Sequence, residues 1–445
     1  MNFKLDISKL KGDGVGAVLA RGAGGAFVAK VLAAGLAFGA QVALARIMGA
    51  ESFGVYIYVI SWITILTILG KVGLDASALR FVSSYVAHEE WSLLRGFFHR
   101  SRQIFTIASI FIAAIVASVV LVFQSKLSDE LVFTFLAGCL LLPVLVSLQV
   151  HAAFLQGFKK IVQSQAPQFV VRPLLIVGGI FFMFIMAEQA ISSYMAMFID
   201  MLATLCALLI TYFYFAVSLA DKTPKIQKVQ KTYHTNKWLQ VSMPLLLLSC
   251  FTILLSQTDI VMLGMIKGTT DSGIYAAASR TSHLISFGLM AVNAIAAPMI
   301  SQLYSQGRMD ELQRMVKLAA IAIMTFSLPI SFAMIVWGEQ LLSLFGQSFT
   351  AGYHSLVILI AGQLVNSLAG SVGLLMTMTG HHKEAAYVFG ISALLNIILN
   401  AVLIPMYGLL GAAFATAFTT SLWNVILIVY VRKKININPT MLAGW

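Results

Sequence analysis

Charge is scarce in this chain. Only 10% of its 445 residues are Asp, Glu, Lys or Arg, whereas a soluble protein carries about 25%. Cysteine is scarce as well: Cys139, Cys206 and Cys250 all lie within apolar runs. They form neither a CxxC pair nor a disulfide framework, so we expect them in the core. The sequence also lacks an HExxH motif and a glycine-rich loop ending in Gly-Lys-Ser/Thr, so we expect no ATP hydrolysis by this chain.

Apolar residues take the place of the missing charge. They make up 59% of the chain, the mean hydropathy is +0.90, and runs of 18 or more apolar residues recur from end to end. Each such run is long enough to cross a bilayer as a helix. The sequence predicts an all-α polytopic membrane protein with about twelve spans. They cover residues 24–46, 53–76, 99–123, 131–156, 163–186, 191–219, 238–263, 273–302, 315–337, 353–379, 385–404 and 409–431.

The net charge of +12 comes from lysines and arginines that cluster in alternate loops. With the N-terminus inside, 22 of the 29 basic residues fall in inner segments and only Arg46, Lys126 and Lys267 in outer loops. This asymmetry predicts that both termini are cytoplasmic. It also accounts for the positive charge without a nucleic-acid partner. We call the end of the helices near the basic loops the inner end and the opposite end the outer end.

A basic linker, ADKTPKIQKVQKTYHTNK at 220–237, divides the chain into lobes of six spans each, residues 1–219 and 238–445. An internal repeat supports the division. RIMGAESFGVY (46–56) aligns with MIKGTTDSGIY (265–275) at an offset of 219, so that Gly54 and Tyr56 match Gly273 and Tyr275. Two similar six-helix lobes predict a transporter with a central cleft between them.

Seven charged side chains lie inside the predicted spans, where they are costly and usually face a cavity or a partner. They are Lys30, Lys71, Arg172, Arg280, Asp75, Asp200 and Asp259. Cations outnumber carboxylates, which suits an anionic ligand such as a diphosphate, because arginine binds phosphate oxygens in bidentate fashion. His283 lies beside Arg280 on the same helix.

The depths of these residues suggest pairs. Arg172 and Asp200 both lie near the middle of their spans, and Lys71 precedes Asp75 by one helical turn. Asp259 and Arg280 differ in depth by only a few Å, at 1.5 Å per residue. Arg280 is therefore either half of a structural salt bridge or a cation for an anionic substrate.

Two further patterns concern helix packing. Asn396 and Asn400 form a polar stripe on the eleventh span, which favours interhelical hydrogen bonding over substrate contact. Gly35 and Gly39 form a GxxxG motif in the first span, which suits close approach of another helix.

Three stretches resemble a known family. ARIMGAESFGVYIYVISWITILTILGKVGLDASALRFVSSY (45–85) is similar to the first-loop and second-span region of bacterial polysaccharide and O-antigen repeat-unit flippases, which transport oligosaccharide-lipids. These belong to the multidrug/oligosaccharidyl-lipid/polysaccharide exporter superfamily. SQTDIVMLG (256–264) and SGIYAAASR (272–280) resemble the start of that family's second lobe. LNAVLIPMYGLLGAAFAT (399–416) resembles its eleventh-to-twelfth-span turn.

The resemblance implies two six-helix lobes around a V-shaped central cavity in a bacterial inner membrane. It implies a flippase, not an enzyme, that moves an undecaprenyl-diphosphate-linked oligosaccharide to the outer leaflet by alternating access, for surface polysaccharide such as the O-antigen of lipopolysaccharide. No cofactor or metal is expected, and a proton or sodium gradient is the expected driving force. The expected partners are the lipid-linked substrate, membrane lipids, and polysaccharide polymerase and ligase machinery.

The resemblance also assigns roles by position. Its substrate-binding candidates are Arg280, Arg172 and Lys30, to which the position of Lys71 and His283 within the spans adds these two, and its ion-coupling candidates are Asp259, Asp200 and Asp75.

Two other functions remain open. A cation-coupled multidrug antiporter of the same superfamily also has twelve spans, although the excess of cations within the spans weighs against it. A membrane glycosyltransferase or polymerase needs larger outer loops than this chain has, since the longest, around 338–352, has about 15 residues. The superfamily's lipid II flippases usually have fourteen spans, which weighs against that branch.

Overall fold

The computed structural model describes residues 15–187, 191–220 and 229–441, with side chains described for 35–186, 191–220 and 229–441. Within these residues the chain is helical throughout, apart from short turns, and has no strand. The first lobe contains α1 (Val15–Lys71), α2 (Leu74–Ala87), α3 (Trp91–Val122), α4 (Asp129–Gly157), α5 (Ile161–Ala166), α6 (Arg172–Ala187) and α7 (Ser193–Ala220). The second lobe contains α8 (Thr235–Ile266), α9 (Thr269–Ser282), α10 (Phe287–Ser305), α11 (Met309–Val336), α12 (Gly338–Ser343), α13 (Tyr353–Ala369), α14 (Val372–Met378), α15 (His382–Tyr407) and α16 (Leu409–Ile435).

Eleven helical stretches in the described part of the chain are long and apolar enough to cross a membrane. This confirms an all-α polytopic membrane protein. The first stretch, Gly35–Lys71, combines parts of two predicted spans, because α1 is broken at Gly49, where φ is 74° and ψ is 171°. Only glycine adopts such backbone angles without strain. The break reverses the chain between the spans predicted at 24–46 and 53–76.

Glycines bring the lobes together at the outer end. Gly54 of α1 lies against the start of α9: a Cβ on Gly54 would lie 2.3 Å from the carbonyl oxygen of Thr269, and one on Gly273 would lie 2.8 Å from the Cα of Gly54. The two glycines that the internal repeat aligned therefore contact each other. Beside them, the ring of Phe53 packs edge-on against that of Phe349, at 5.7 Å between centroids.

The inner end has its own contact between the lobes. Trp238, at the start of α8, is 1% exposed, and its indole Nε1 donates to the hydroxyl of Tyr85 in α2 at 2.8 Å. Its ring packs edge-on against Phe97 of α3, at 5.2 Å between centroids. One turn further along α8, the hydroxyl of Ser242 donates to that of Ser77 at 2.7 Å. Contacts at both ends leave a space between the lobes at intermediate depth.

We expect Trp238→Ala to lower the free energy of unfolding by about 3–5 kcal/mol, because it removes a fully buried indole from a packed aromatic contact. Trp238→Phe keeps most of the apolar volume and should lose about 1 kcal/mol, from the hydrogen bond alone. Thermal unfolding in detergent measures both. Trp337→Ala is the matched control, because Trp337 is 55% exposed; equal shifts for the two alanine variants would contradict the packing role of Trp238.

Two packing expectations are wrong. A Cβ at Gly35 or Gly39 would meet nothing within 4 Å, so the GxxxG motif does not mediate a close helix contact. Of the cysteines, Cys139 is buried and Cys250 half-buried, but Cys206 is exposed on α7. The physical reason is shared: in a membrane protein the surface is apolar too, so an apolar neighbourhood does not distinguish the core from the lipid-facing side.

Candidate functional site

A cavity of about 310 Å³ lies between the outer and inner contacts of the two lobes. Both parts of α1 line it, together with α4, the start of α6 and, from the second lobe, α9. Its lining residues are Ala37, Ala40, Gln41, Leu44, Tyr56, Ile60, Thr64, Leu145, Gln149, Arg172, Pro173, Ile176 and Arg280. Two predicted substrate-binding residues, Arg172 and Arg280, thus share one cavity although 108 positions separate them.

The predicted pair of Arg172 and Asp200 is confirmed. The guanidinium donates twice, from Nε to Oδ1 at 2.8 Å and from Nη2 to Oδ2 at 3.0 Å. The hydroxyl of Tyr56 donates to Oδ2 at 3.0 Å, and that of Thr204 donates to Oδ1 at 3.3 Å. Because Asp200 is fully buried, these four donors replace its lost hydration. Arg172 is therefore held rigidly and its charge is largely offset.

Irregular backbone positions each arginine. A π-helical turn, Pro167–Val171, precedes Arg172, whose N–H donates to the carbonyl of Pro167, and Pro173 follows with no N–H to donate. Such π turns are frequent at functional sites. Arg280 lies in the last turn of α9, just before a 3₁₀ turn at His283–Ser286 separates α9 from α10. Local changes in helical pitch rotate the side chains that follow them, which places functional groups where a regular helix would not.

Arg280 differs from Arg172 in having no carboxylate partner among the described side chains. Its Nη1 is buried and has no hydrogen-bond partner in the described part of the chain, and the same holds for the Oε1 of Gln41, which lines the same cavity. Within the described lining no carboxylate is present. An unpaired buried cation is costly unless a ligand supplies the counter-charge. The cavity therefore has the donors and the charge to hold an anionic group.

Lys71 and His283 lie outside the described lining of this cavity. Lys71 pairs with Asp75, Nζ to Oδ2 at 2.6 Å, across the break between α1 and α2, which confirms the sequence pairing. Val72 and Gly73 both have positive φ at that break. His283 is hydrogen-bonded to Gln363, at 3.3 Å between Nδ1 and Nε2. The side chain of Lys30 lies outside the described residues.

The predicted pairing of Asp259 with Arg280 is wrong. Asp259, 4% exposed, faces α15 and α16 inside the second lobe. Its Oδ1 accepts from Asn400 Nδ2 at 2.6 Å, and its Oδ2 accepts from the hydroxyl of Tyr275 at 2.8 Å and from that of Thr416. Similar depth in two helices says nothing about the direction in which a side chain points, and here the two point to different neighbours.

The asparagine stripe behaves as expected. Asn400 donates both to Asp259 and to the Oδ1 of Asn396 at 3.0 Å, and Asn396 donates to Thr419 of α16 at 3.4 Å. The Oδ1 of Asn400 is buried and accepts no hydrogen bond from the residues that the structure describes. Among the described side chains no group of three or more His, Cys, Asp or Glu could hold a metal ion.

Two tyrosines were missed as site residues. Tyr56 and Tyr275, matched by the repeat, each donate to a buried aspartate, Asp200 in the first lobe and Asp259 in the second. The repeat itself was the signal. A buried tyrosine hydroxyl usually has a hydrogen-bond partner, so a tyrosine that recurs at equivalent positions of the two lobes predicts an acceptor in each lobe.

Comparison with solved structures shows the fold. An inward-facing multidrug resistance MATE transporter of the MOP superfamily aligns with a TM-score of 0.71 at 14% identity, covering 91% of this chain and 94% of that one. The lipid II flippase MurJ in an inward closed conformation gives 0.69 at 15% identity, covering 91% and 87%. An outward-facing MATE transporter of the MOP superfamily gives 0.59 at 13% identity, covering 95% and 98%.

Curated relatives come from archaea. The "probable low-salt glycan biosynthesis flippase Agl15" of Haloferax volcanii is 24% identical over 421 residues, covering 94% of this chain and 84% of the relative. The "probable flippase AglR" of the same organism is 26% identical over 191 residues, covering 42% and 40%. An uncharacterized membrane protein of Methanocaldococcus jannaschii, MJ1068, is 22% identical over 427 residues, covering 90% and 82%.

Two family models match the sequence. The MatE model matches residues 244–402, which lie within the second lobe. The model described as "polysaccharide biosynthesis protein" matches residues 19–304, more than half of the 445 residues. This multi-pass membrane protein therefore belongs to the polysaccharide biosynthesis protein family and has the fold of the MOP superfamily.

Proposed function

We propose that this protein is a flippase that moves a lipid-linked glycan from the inner to the outer leaflet by alternating access. The observation that carries the proposal is Arg280, whose buried Nη1 has no partner among the described residues and which shares a cavity with the paired Arg172. A phosphate at the head of a glycolipid supplies the missing counter-charge. A cavity for a lipophilic cation would present the opposite charge.

The physical task fits such a cavity. A phosphate group and several sugars cannot cross about 30 Å of hydrocarbon unaided. The lipid tail has no need to leave the bilayer, so only the head group must enter the protein. Family membership in polysaccharide biosynthesis and two relatives named as probable flippases support the same direction.

The finer proposal names the substrate and the setting. We expect an undecaprenyl-diphosphate-linked oligosaccharide, a bacterial plasma membrane with both termini cytoplasmic, and O-antigen or a related surface polysaccharide as the product. Polymerase and ligase machinery would consume the flipped substrate. No covalent step is assigned to this chain, so it would be a transporter and not an enzyme.

Lipid extracts of cells that lack this protein test the proposal. We expect a completed lipid-linked oligosaccharide to accumulate, and the intact gene to reverse the accumulation; mass spectrometry of the extract also identifies the carrier lipid and the number of its phosphates. An unchanged lipid pool together with new sensitivity to lipophilic cations would overturn the flippase and favour the multidrug antiporter.

Of the three ion-coupling candidates, we propose Asp259. Asp200 and Asp75 each have a cationic partner, Arg172 and Lys71, whereas the described partners of Asp259 are all neutral. A buried carboxylate without a counter-cation takes up a proton or a sodium ion readily. A sodium ion would find oxygen ligands in Asp259, Thr416 and the unpartnered Oδ1 of Asn400, which suit a hard cation.

We expect Asp259→Asn to remove the dependence of transport on the ion gradient, because the amide neither binds a proton near neutral pH nor attracts a cation. Transport into proteoliposomes with and without an imposed proton or sodium gradient measures the dependence. Asp75→Asn is the matched control and should keep it, since Asp75 already has a counter-ion in Lys71. A full gradient response in Asp259→Asn would overturn the assignment.

A further inference from the structure

A second polar cavity, of about 500 Å³, lies at the outer end of the first lobe, away from the central cavity. The starts of α4 and α7 line it together with Ser52 of α1, and its polar lining includes two carboxylates, Asp129 and Glu130, and Ser192. The Oγ of Ser192 is buried and has no hydrogen-bond partner among the described residues. This cavity therefore presents acceptors and an unmatched polar atom at the membrane surface.

Glu130 is fixed in place. One carboxylate oxygen, Oε1, accepts from the N–H of Ser193 at 3.0 Å and from its hydroxyl at 2.8 Å. These bonds anchor the start of α7 to α4, and Ser52 of α1, which also lines the cavity, is a further side-chain hydrogen-bond partner of Glu130. Asp129, one residue earlier, is exposed at the mouth. A rigid carboxylate beside a freer one is a pre-organised arrangement for a charged group.

An aromatic pair connects this cavity to a larger apolar one. The rings of Phe133 and Tyr194 lie 6.0 Å apart, tilted by 60°, and both residues line both cavities. The second cavity, about 650 Å³, is a groove between α4, α6 and α7 on the lipid-facing side, with exposed Phe182 and Phe198 in its walls. It continues to Cys206, twelve residues beyond Tyr194, which is about 18 Å along a helix.

Charge indicates the kind of head group. Over the described residues, neither lining contains a lysine or an arginine, so a phosphate or sulfate at the mouth would meet repulsion from Asp129 and Glu130. Carboxylates next to aromatic rings suit an ammonium group, through ion pairing and cation–π attraction. An apolar cavity of the second lobe, about 300 Å³ and lined by Leu403 and Phe414 among others, has no carboxylate in its described lining.

We propose that the first lobe carries a lateral binding site for a long-chain amphiphile with an ammonium head group. The head group lies between the carboxylates of Asp129 and Glu130 and the rings of Phe133 and Tyr194, and the chain lies in the groove that ends near Cys206. This site is separate from the central cavity and does not depend on the proposed flippase activity.

Photolabelling tests the site on the full-length protein in nanodiscs. Three probes carry the same long alkyl chain with a diazirine near its end, and differ only in the head group: trimethylammonium, hydroxyl or sulfate. We expect the ammonium probe to label peptides of α6 and α7 about tenfold more than either other probe, as one charge-assisted contact predicts. Peptides near Leu403 and Phe414 should be labelled equally by all three, because that cavity lacks carboxylates.

Variants locate the head group. Asp129→Asn combined with Glu130→Gln should abolish the ammonium preference, and Cys206→Phe should reduce labelling by all probes because it fills the exposed end of the groove. Asp271→Asn removes a carboxylate at the outer end of the second lobe; it is the matched control and should leave the labelling by all three probes unchanged.

Equal labelling by the three probes would overturn the proposal in favour of bilayer chains filling the groove. Stronger labelling by the hydroxyl probe would overturn the ammonium assignment in favour of a neutral glycolipid head.

Discussion

Arg280→Ala should lower the transport of a lipid-linked glycan by about 100-fold while the protein still folds. Two charge-assisted hydrogen bonds to a phosphate are together worth about 3 kcal/mol, and 1.4 kcal/mol corresponds to a factor of ten. Arg280→Lys keeps the charge but loses the bidentate geometry, so it should retain about a tenth of the activity. Flipping of a fluorescent prenyl-phosphate glycolipid in proteoliposomes measures each variant.

Arg80→Ala is the matched control for loss of one positive charge. Arg80 is an exposed residue of α2 and lines no described cavity, so transport should stay within a factor of about two of the unmodified protein, as expected for a surface substitution. Full transport by both Arg280 variants would show that Arg280 does not hold the substrate. Accumulated glycolipid in cells without the protein would then keep the flippase and discard only this site.

Arg172 is a poorer test of binding, for a physical reason. Its partner Asp200 is fully buried, and removing one member of a buried ion pair costs about 3–5 kcal/mol because the other charge is left uncompensated. Loss of transport in Arg172→Ala would therefore combine damage to folding with loss of a ligand contact. Arg280, with no described carboxylate partner, separates the two effects.

The position of each residue along its predicted span was enough to predict two ion pairs, Arg172 with Asp200 and Lys71 with Asp75. The first two residues lie near the middle of neighbouring spans, and the second two are one helical turn apart. The same reasoning failed for the pairing of Asp259 with Arg280, because the position of a residue along a helix leaves the direction of its side chain undetermined. The direction is set by which helices pack around α8, and here α15 brings Asn400 to the carboxylate. Contacts between helices distant in sequence are what the sequence pattern did not contain.

The glycines also show that a sequence pattern does not determine which helices come into contact. The GxxxG spacing of Gly35 and Gly39 suggested a close contact and has none, whereas Gly54 and Gly273 lie in no such motif and contact each other. The repeat had aligned these two glycines as equivalent positions. A pseudo-symmetric pair of residues near the symmetry axis must meet its own copy, and there only glycine leaves room for two backbones.

That meeting point determines whether the outer end can close. The Cβ of any larger residue at Gly54 would lie 2.3 Å from the carbonyl oxygen of Thr269, a main-chain atom that cannot turn aside as a flexible side chain can. Contacts of Phe53 with Phe349 and of Phe38 with Phe345 close the same end. A side chain at position 54 therefore penalises the outer-closed state and leaves the separated state unaffected, since it acts only where the lobes touch.

We expect Gly54→Leu to shift the protein toward an outer-open state by at least about tenfold, because overpacking a close contact costs about 1–3 kcal/mol. In a cysteine-free background, a cysteine in place of the cavity residue Thr64 should then react about tenfold faster with an impermeant maleimide added from the outer side, and net transport should fall in parallel. Gly39→Leu on the same helix is the matched control, since a Cβ there meets nothing within 4 Å.

Gly54→Ala and Gly273→Ala add only one carbon and should give the same shift toward the outer-open state, but a smaller one, if Gly54→Leu proves too unstable to isolate. Unchanged labelling and transport in these variants would mean that the outer contact is not a gate, and alternating access would then have to open elsewhere between the lobes.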